Sequence, residues 1–388
     1  MAAPIGTPPH RGKMTGQLSK PITIYQLAAD QRMQPGHHAY LLNGNYPLPT
    51  ALTFSKAGVS YAPYQNARPV LHPSVANITI AADDVVLTGY EISGTNTNRV
   101  SAQVGSNPTD INFYRLLITG KRVELRGCII HDITELAIDA NAHSFTLRDC
   151  IVYNCGWHSS APGERDHGHT FYGQNNGGGA LRIINCIFPQ SFSYGVHFYG
   201  VMANLLGLHV TNLIQFNPRF VIGGESTAPV DDVIVMDSVL WNMNAVLGNS
   251  SASAGSLTLT DNYFALSTPI ISPAWQSVIN TGNVSASGGA NVVKVFPSTT
   301  EGKVAHIAAM NWEQLDAVSV TVDGMIAGNA YRLRNAYDPL VDVQEFVHQG
   351  GDLVLPFVGR TVAKPVGYDT ALIALDKRFG AWALEQVA

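Results

Sequence analysis

Charge is what this chain has least of. Asp, Glu, Lys and Arg together make up 13% of its 388 residues, about half the share in ordinary soluble domains. That scarcity excludes long solvent-facing amphipathic helices, whose polar stripes are built from Glu, Lys and Arg. A net charge of −5 with no Lys/Arg cluster excludes a phosphate-gripping surface, so no nucleic-acid partner is expected. No apolar run reaches the eighteen or so residues of a membrane span. Cysteine is nearly as scarce. Cys128, Cys150, Cys155 and Cys186 are too few for a disulfide scaffold at this length and match no zinc spacing, so buried free thiols are expected. Residues 1–20 are rich in Pro and Gly and lack the apolar centre of a signal peptide. The expectation is a chain already mature, or one that leaves its cell by another route, for example inside a virion.

What is abundant points to a β-rich, repetitive fold. Hydrophobic residues make up 46% and glycine numbers 36, so the chain buries much and turns often. Seven segments share one pattern of apolar, any, apolar, any, Gly/Asp/Asn, any, any, apolar. They are 85–92, 123–130, 145–152, 181–188, 203–210, 233–240 and 257–264. The alternation before the polar column marks a strand with one buried face. The column Gly89, Gly127, Asp149, Asn185, Gly207, Asp237 and Asp261 marks a turn, since these residues tolerate left-handed backbone. Five residues further on, Asp132, Asn154, Gln190, Asn212 and Asn242 form a second polar column of the kind that stacks side chain on side chain. Turn spacings of 38, 22, 36, 22, 30 and 24 residues fit a coil of about 22 residues with loop insertions.

A third strand per coil follows the second turn. Ile138, Phe171, Phe198, Val221 and Val246 form its uniformly apolar column, which points them inward and leaves Asp139, Tyr172, His197, Tyr199 and Phe220 outward. The same register puts His169 inward near Val196, and a one-residue slip would reverse these assignments. The resulting fold class is all-β: a right-handed single-stranded parallel β-helix with a C-terminal antiparallel β-sandwich. Its expected divisions are an arm (1–21), an N-terminal cap (22–72), the β-helix (73–290) and the sandwich (291–388). The cap covers an otherwise open solenoid end, and the sandwich is expected to cap the other. Its strands are sought at His306–Met310, Val318–Val322, Tyr331–Arg334, Leu353–Phe357 and Ala371–Leu375.

These residues carry a family resemblance. Pro35-Gly36 through Tyr40-Leu-Leu-Asn-Gly-Asn-Tyr46 resembles the opening motif of the pectin-lyase-like superfamily, which includes chondroitinase-B-type polysaccharide lyases, with His37 where the motif commonly has Asp. Asp166-His-Gly-His169 with Tyr172, Gln174 and Asn175 is similar to a signature of bacterial right-handed β-helix repeat proteins. The stretches Ala305–Trp312, Tyr331–Asn335 and Val362–Gly367 resemble β-sandwich modules appended to carbohydrate-active enzymes. The resemblance implies an extended polysaccharide as partner, bound in a shallow outward groove, in an extracellular or virion-surface setting.

Three insertions, at 95–110, 156–166 and 224–230, are placed to wall such a groove. The middle one is the densest polar and aromatic stretch of the chain. β-Elimination of a uronic acid needs a base, an acid and a carboxylate neutraliser. The candidates are His167 or His197 as base and Tyr172 or Tyr199 as acid, with Arg148, Gln174 or Asn175 against the carboxylate. Lysine is almost absent from the coils, so a Lys-based version fits poorly; calcium stays open as a cofactor. Glycoside hydrolysis would draw on Asp139, Glu164 and Asp166, and a transition metal would draw on His167, His169 and His197. Binding without cleavage would use Trp157, Tyr172, Tyr199 and Phe220 to stack on sugar rings. Each has a plainer alternative: a histidine bonded to backbone, or Arg126 and Arg148 paired with Glu124, Asp149 or Asp132. The favoured reading is a carbohydrate-active β-helix, a His/Tyr lyase if catalytic. The rival is a non-catalytic phage virion protein, monomeric or trimeric, among other virion proteins.

Overall fold

The computed structural model describes residues 2–3, 22–65, 67–175, 179–200, 205–216, 219–224, 229–249 and 254–387. Its larger part is a parallel β-solenoid with three long faces, formed by sheets of twelve, ten and nine strands. The first face includes Val123–Arg126, Phe145–Arg148, Leu181–Ile184 and Val230–Met236. The second includes Ile129–His131, Ile151–Tyr153, Ile187–Phe188 and Val239–Trp241. The third includes Leu136–Ala140, His169–Gly173, Tyr194–Gly200, Arg219–Gly224 and Asn244–Asn249.

The repeat seen in the sequence sets the register of the first face. Val123, Phe145, Leu181, Leu208, Val233 and Leu257 lie side by side and are buried. The turn after them is left-handed at Gly127, Asp149, Asn185, Asn212, Asp237 and Asp261, with φ between 50° and 61°. In one coil the sequence alignment was wrong. Leu181 pairs with Leu208, so that repeat runs over 208–215 and its turn residue is Asn212, not Gly207. Asn212 therefore leaves the second polar column. Residues 203 and 204 of the expected segment lie outside the described residues.

The residue after that turn makes the internal ladder. The N–H of Cys128 meets Cys150 Sγ at 3.3 Å, and that of Leu213 donates to Ser238 Oγ at 3.1 Å. Ser238 N–H donates to Asn262 Oδ1 at 3.0 Å, and Asn262 N–H to Asn283 Oδ1 at 2.9 Å. At Cys150, Ser238, Asn262 and Asn283 the side chain thus meets a main-chain donor of the coil before it, where a sharp turn removes the ladder partner, while Leu213 fills its place in the column without an acceptor. All four cysteines are free and buried, and three of them stand in this column.

Solenoid pairing extends back through His38–Leu41, which lies parallel to Ser60–Pro63, to Ala2–Ala3 and Ile22–Thr23 at the sheet's first edge. The helix Ile24–Ala28 buries Ile24, Leu27 and Ala28 over the first coil and is started by a Thr23/Gln26 capping box.

The C-terminal part is a five-stranded antiparallel sheet with a separate two-stranded one. Ala371–Leu375 is not a strand; the expectation missed Phe379–Gln386, which sits at the sheet's centre. The module does not cap the solenoid end. It packs sideways on the second face, where the outward residues Ile151, Ile187, Ile214, Val239, Trp241 and Tyr263 join Phe296, Met310, Tyr337 and Phe379 in one apolar cluster. Trp241 stacks on Phe379 at 4.7 Å and meets Trp312 at 5.3 Å, so Trp312 belongs to this junction and Trp382 to the module's own core. The loop after the sheet reaches the second turn, where Gln190 Nε2 donates to Ala363 O at 2.8 Å and Val366 N–H to Asp132 Oδ1 at 2.7 Å.

Replacing Trp241 by Ala removes the centre of this junction and is expected to cost about 3 kcal/mol. Chemical denaturation checks it: a loss well under 1 kcal/mol would mean that the sideways docking contributes little to the fold.

Candidate functional site

Register decides which side chains the third face offers. Asp139, Tyr172, His197, Val221, Val246 and Ile270 share one outward column. The inward neighbours are Phe171, Val196, Phe220 and Ala245, all buried in the solenoid core. The expected register therefore holds through Tyr172 and His197 and slips by one residue beyond them. Phe220 is inward and Val221 and Val246 are outward. Phe220 offers no ring to a ligand.

Around His197 the outward column gathers an aromatic and cationic cluster. His197 Nδ1 lies 3.2 Å from His169 Nε2. Tyr194 stacks on the His197 ring at 4.6 Å, and Tyr172 and Tyr199 flank it at 5.3 and 5.0 Å. His169 was expected inside. Instead it is partly exposed and contacts Tyr172, Tyr194 and His197, because the first residue of its strand turns out of the alternation.

Two arginines close over the cluster. Arg165, from the middle insertion, donates to Tyr194 Oη at 2.6 Å, and Arg219 donates to the same oxygen at 3.1 Å. Their guanidinium carbons stand 5.5 and 5.4 Å from the Tyr194 ring centroid. Both side chains are exposed, and among the described residues neither has a carboxylate partner. Together with Tyr199, Val221, Asn244, Val246 and Ile270 they line an open cleft of about 490 Å³. Sequence reasoning missed Arg165, Arg219 and Tyr194. The signal was present as two arginines in a chain poor in cations, flanking the one coil rich in Tyr and His.

Burial pushes the His197 imidazole down to about 3, with the Arg165 charge adding to the shift. His169 is driven well below the ordinary range by burial, then by His197 and Arg165. At neutral pH both rings are uncharged, so one donates and the other accepts across the 3.2 Å contact.

The other expected site residues separate from this cluster. His167 is buried, stacked on the fully buried Trp157 at 4.5 Å, and 3.9 Å from Glu164; burial lowers its pKa. Trp157 therefore reaches no sugar, and the three histidines do not converge. Among the described residues no group of three or more His, Cys, Asp or Glu could hold a metal. Asp166 accepts from His158 Nδ1 at 2.7 Å and Ser159 N–H at 3.0 Å. It borders a second cleft, of about 660 Å³, against the C-terminal module. Asn175 is fully buried, with its amide donating to Gly179 O and accepting from Leu206 N–H; it holds a bend. Gln174 is at the site, donating to Tyr172 Oη at 2.6 Å.

Arg148 lies on the first face, where Glu124 takes both Arg148 at 2.8 Å and Arg126 at 2.6 Å. It is a structural ion pair away from the cleft. Asp139 faces outward as expected but is sealed by Arg115 Nη1 at 2.6 Å, while Arg115 Nε holds Glu135 at 2.9 Å. Burial raises both carboxyl pKa values against that cation. The first two insertions pack on each other. Val100–Ser101 pairs with His158–Ser159, and the fully buried Arg99 pins the first insertion by donating to Asp132 O and Asn154 O at 3.0 and 2.6 Å. Residues 225–228 of the third insertion lie outside the described residues.

No family model and no curated protein matches the chain. Among solved structures it is similar to the pectate lyase Pel9A, at 11% identity over 74% of this chain and 77% of that one, with a TM-score of 0.36. A Geobacillus virus E2 protein, ORF18, matches at 12% over 84% and 71%, with a TM-score of 0.34. A mannuronic acid specific polysaccharide family 6 lyase from human gut microbiota matches at 12% over 68% and 89%, with a TM-score of 0.25. No functional argument rests on likeness at this level.

The pH dependence of stability follows from the histidine shift. A His197 whose folded pKa is depressed to about 3 contributes stability that is present above its unfolded value of about 6.5 and is lost as pH falls from there toward 3. Denaturation midpoints are expected to drop across that window, and His197→Asn to flatten part of the slope. A His197 ring signal that titrates near 6.5 by NMR would contradict the buried, neutral imidazole.

Proposed function

We propose that the chain binds an extended acidic polysaccharide along its third face and cleaves it by β-elimination at the Arg165/Arg219 cleft. The observation that carries this reading is the pairing of an uncharged imidazole, His197, with two arginines that have no described carboxylate partner. Elimination next to a uronate carboxylate requires its charge to be neutralised, a proton acceptor at C5 and a proton donor to the departing oxygen. Arg165 and Arg219 are the neutralisers, since guanidinium groups match carboxylate geometry. In the tautomer where His197 Nδ1–H donates to His169 Nε2, the other His197 nitrogen holds a free lone pair for the C5 proton. A bound carboxylate offsets the Arg165 charge that weakens this base, so the substrate itself raises its basicity. Tyr199, which lines the cleft beside Tyr194, serves as acid, since the Tyr194 phenol is engaged by both arginines. Tyr172, with Gln174, extends the surface to the next coil.

Hydrolysis is the weaker chemistry here, because Asp139 and Glu135 are both held by Arg115 and no carboxylate pair lines the cleft among the described residues. The second reading is binding without cleavage, as in a phage receptor-binding or decoration protein at a virion surface. It is favoured by the Tyr194 phenol being bonded to both arginines, which fixes the cluster as a rigid cationic aromatic platform.

Turnover on alginate, pectate, glycosaminoglycans and bacterial capsule, with and without calcium, tests the choice. Ultraviolet absorbance of unsaturated ends is expected on an acidic polymer, with His197→Ala lowering kcat by about a hundredfold or more. Arg165→Ala or Arg219→Ala is expected to raise KM about tenfold or more. Binding with no new ends, lost on Arg219→Ala, would select the non-catalytic reading. Reducing ends without absorbance would overturn elimination.

A further inference from the structure

The two ends of the solenoid are finished differently. At the first end the helix Ile24–Ala28 lies over the opening coil with its apolar side chains buried. At the other end nothing among the described residues covers the last strands, because the C-terminal module is occupied with the second face. Ile270–Ile271, Trp275–Thr281 and Val284–Ala286 are the terminal strands of the three sheets. Their apolar side chains stand open: Ile270 is 60% exposed, Ile279 52%, Val284 47% and Val278 44%. Val278 continues the inward column of Leu257, so it is a core position with no coil beyond it.

An uncovered edge of this kind carries free N–H and C=O groups ready to pair, and soluble proteins normally defend it with lysine or other charges. This chain does the opposite. From Asn262 to Val293 there is no Asp, Glu, Lys, Arg or His, the whole of the last coil included. An uncharged surface can meet an identical surface without like charges facing each other, which a charged edge could not do. A second chain placed head to head about a two-fold axis supplies such an identical edge, running antiparallel to the first. The assembly would then close at two copies, since the helix-covered ends face outward.

We propose that this uncharged terminal coil is a self-association surface, and that the chain forms a two-fold end-to-end dimer through Trp275–Thr281 and its neighbouring edge strands. This edge adjoins the cleft at Ile270 but uses none of its histidine, tyrosine or arginine side chains. Pairing would give the edge its missing hydrogen-bond partners and cover Val278, Ile279 and Val284, as one further coil would.

Sedimentation velocity of the full chain over roughly 1 to 100 µM is the test. A dimer is expected, and Val278→Lys with Ile279→Lys should weaken it about a hundredfold, by facing like charges across the axis. Both positions are already exposed, so the fold should persist, with an unchanged circular dichroism spectrum. A second measurement does not depend on that variant. Ser277→Cys places the one accessible thiol on the edge, the native four being buried, and a short bis-maleimide should then yield covalent dimers alone. A monomer across the whole range, a dimer indifferent to the lysines, or assemblies that grow beyond two copies would each overturn the proposal.

Discussion

Everything in this molecule depends on the left-handed residue that ends the first-face strand of each coil. At Gly127, Asp149, Asn185, Asn212, Asp237 and Asp261 the backbone adopts positive φ, which turns the chain from the first face to the second within a single residue. The turn interrupts main-chain pairing, and at Ser238, Asn262 and Asn283 the next side chain repairs it by accepting an N–H from the coil before. A side chain that reaches a fixed donor in the neighbouring coil allows only one register. Cysteine occupies three of these positions as a small, apolar, weakly accepting group, which accounts for thiols that neither pair nor bind metal.

Fixed register has a consequence on all three faces, since whatever a coil carries at one offset lies beside the same offset of its neighbours. On the first face this aligns Glu124 with Arg148 and Arg126 in ion pairs. On the second it stacks Ile151, Ile187 and Val239 into an apolar stripe, which the C-terminal module covers. The third face stays open, its outward column neither neutralised throughout nor covered among the described residues. Where Asp139 meets Arg115 the charges cancel; two coils on, around His197, the two cations over the column have no described carboxylate partner.

The fold was legible because the repeat states it directly: alternation, turn residue and apolar column recur at fixed offsets. The errors have physical causes. Gly207 and Asn212 both adopt positive φ, so either could close the coil, and composition alone chose the wrong one. Phe220 and Val221 are both apolar, and alternation cannot decide which faces the core when both fit. The sideways docking was also written in the chain, as paired apolar residues such as Ile151-Val152 and Val239-Leu240, one for each side of the second face. For the site, the outward placement of His197, Tyr172 and Tyr199 was readable from period. The burial of Trp157 and Asn175 was not, since polarity and aromaticity in an insertion look alike whether they face a ligand or hold the insertion down.

The arginines show how little charge this fold needs and where the remainder goes. Arg99, buried without exposure, is spent on carbonyls of the second turn. Arg115, Arg122, Arg126, Arg148, Arg332, Arg334 and Arg378 each sit against a carboxylate. Arg165 and Arg219 instead share a phenol, whose oxygen carries no charge to cancel theirs. Beneath them the imidazoles stay neutral because burial and the Arg165 charge both oppose protonation. Such a site holds an excess of positive potential at a partly dry surface, where an arriving anion interacts more strongly than it would in open water. The same anion would relieve the Arg165 share of the penalty on protonating His197, the smaller share beside burial. Under the proposed reading, binding and basicity are coupled through one guanidinium, since among the described residues no carboxylate cancels this pair of cations.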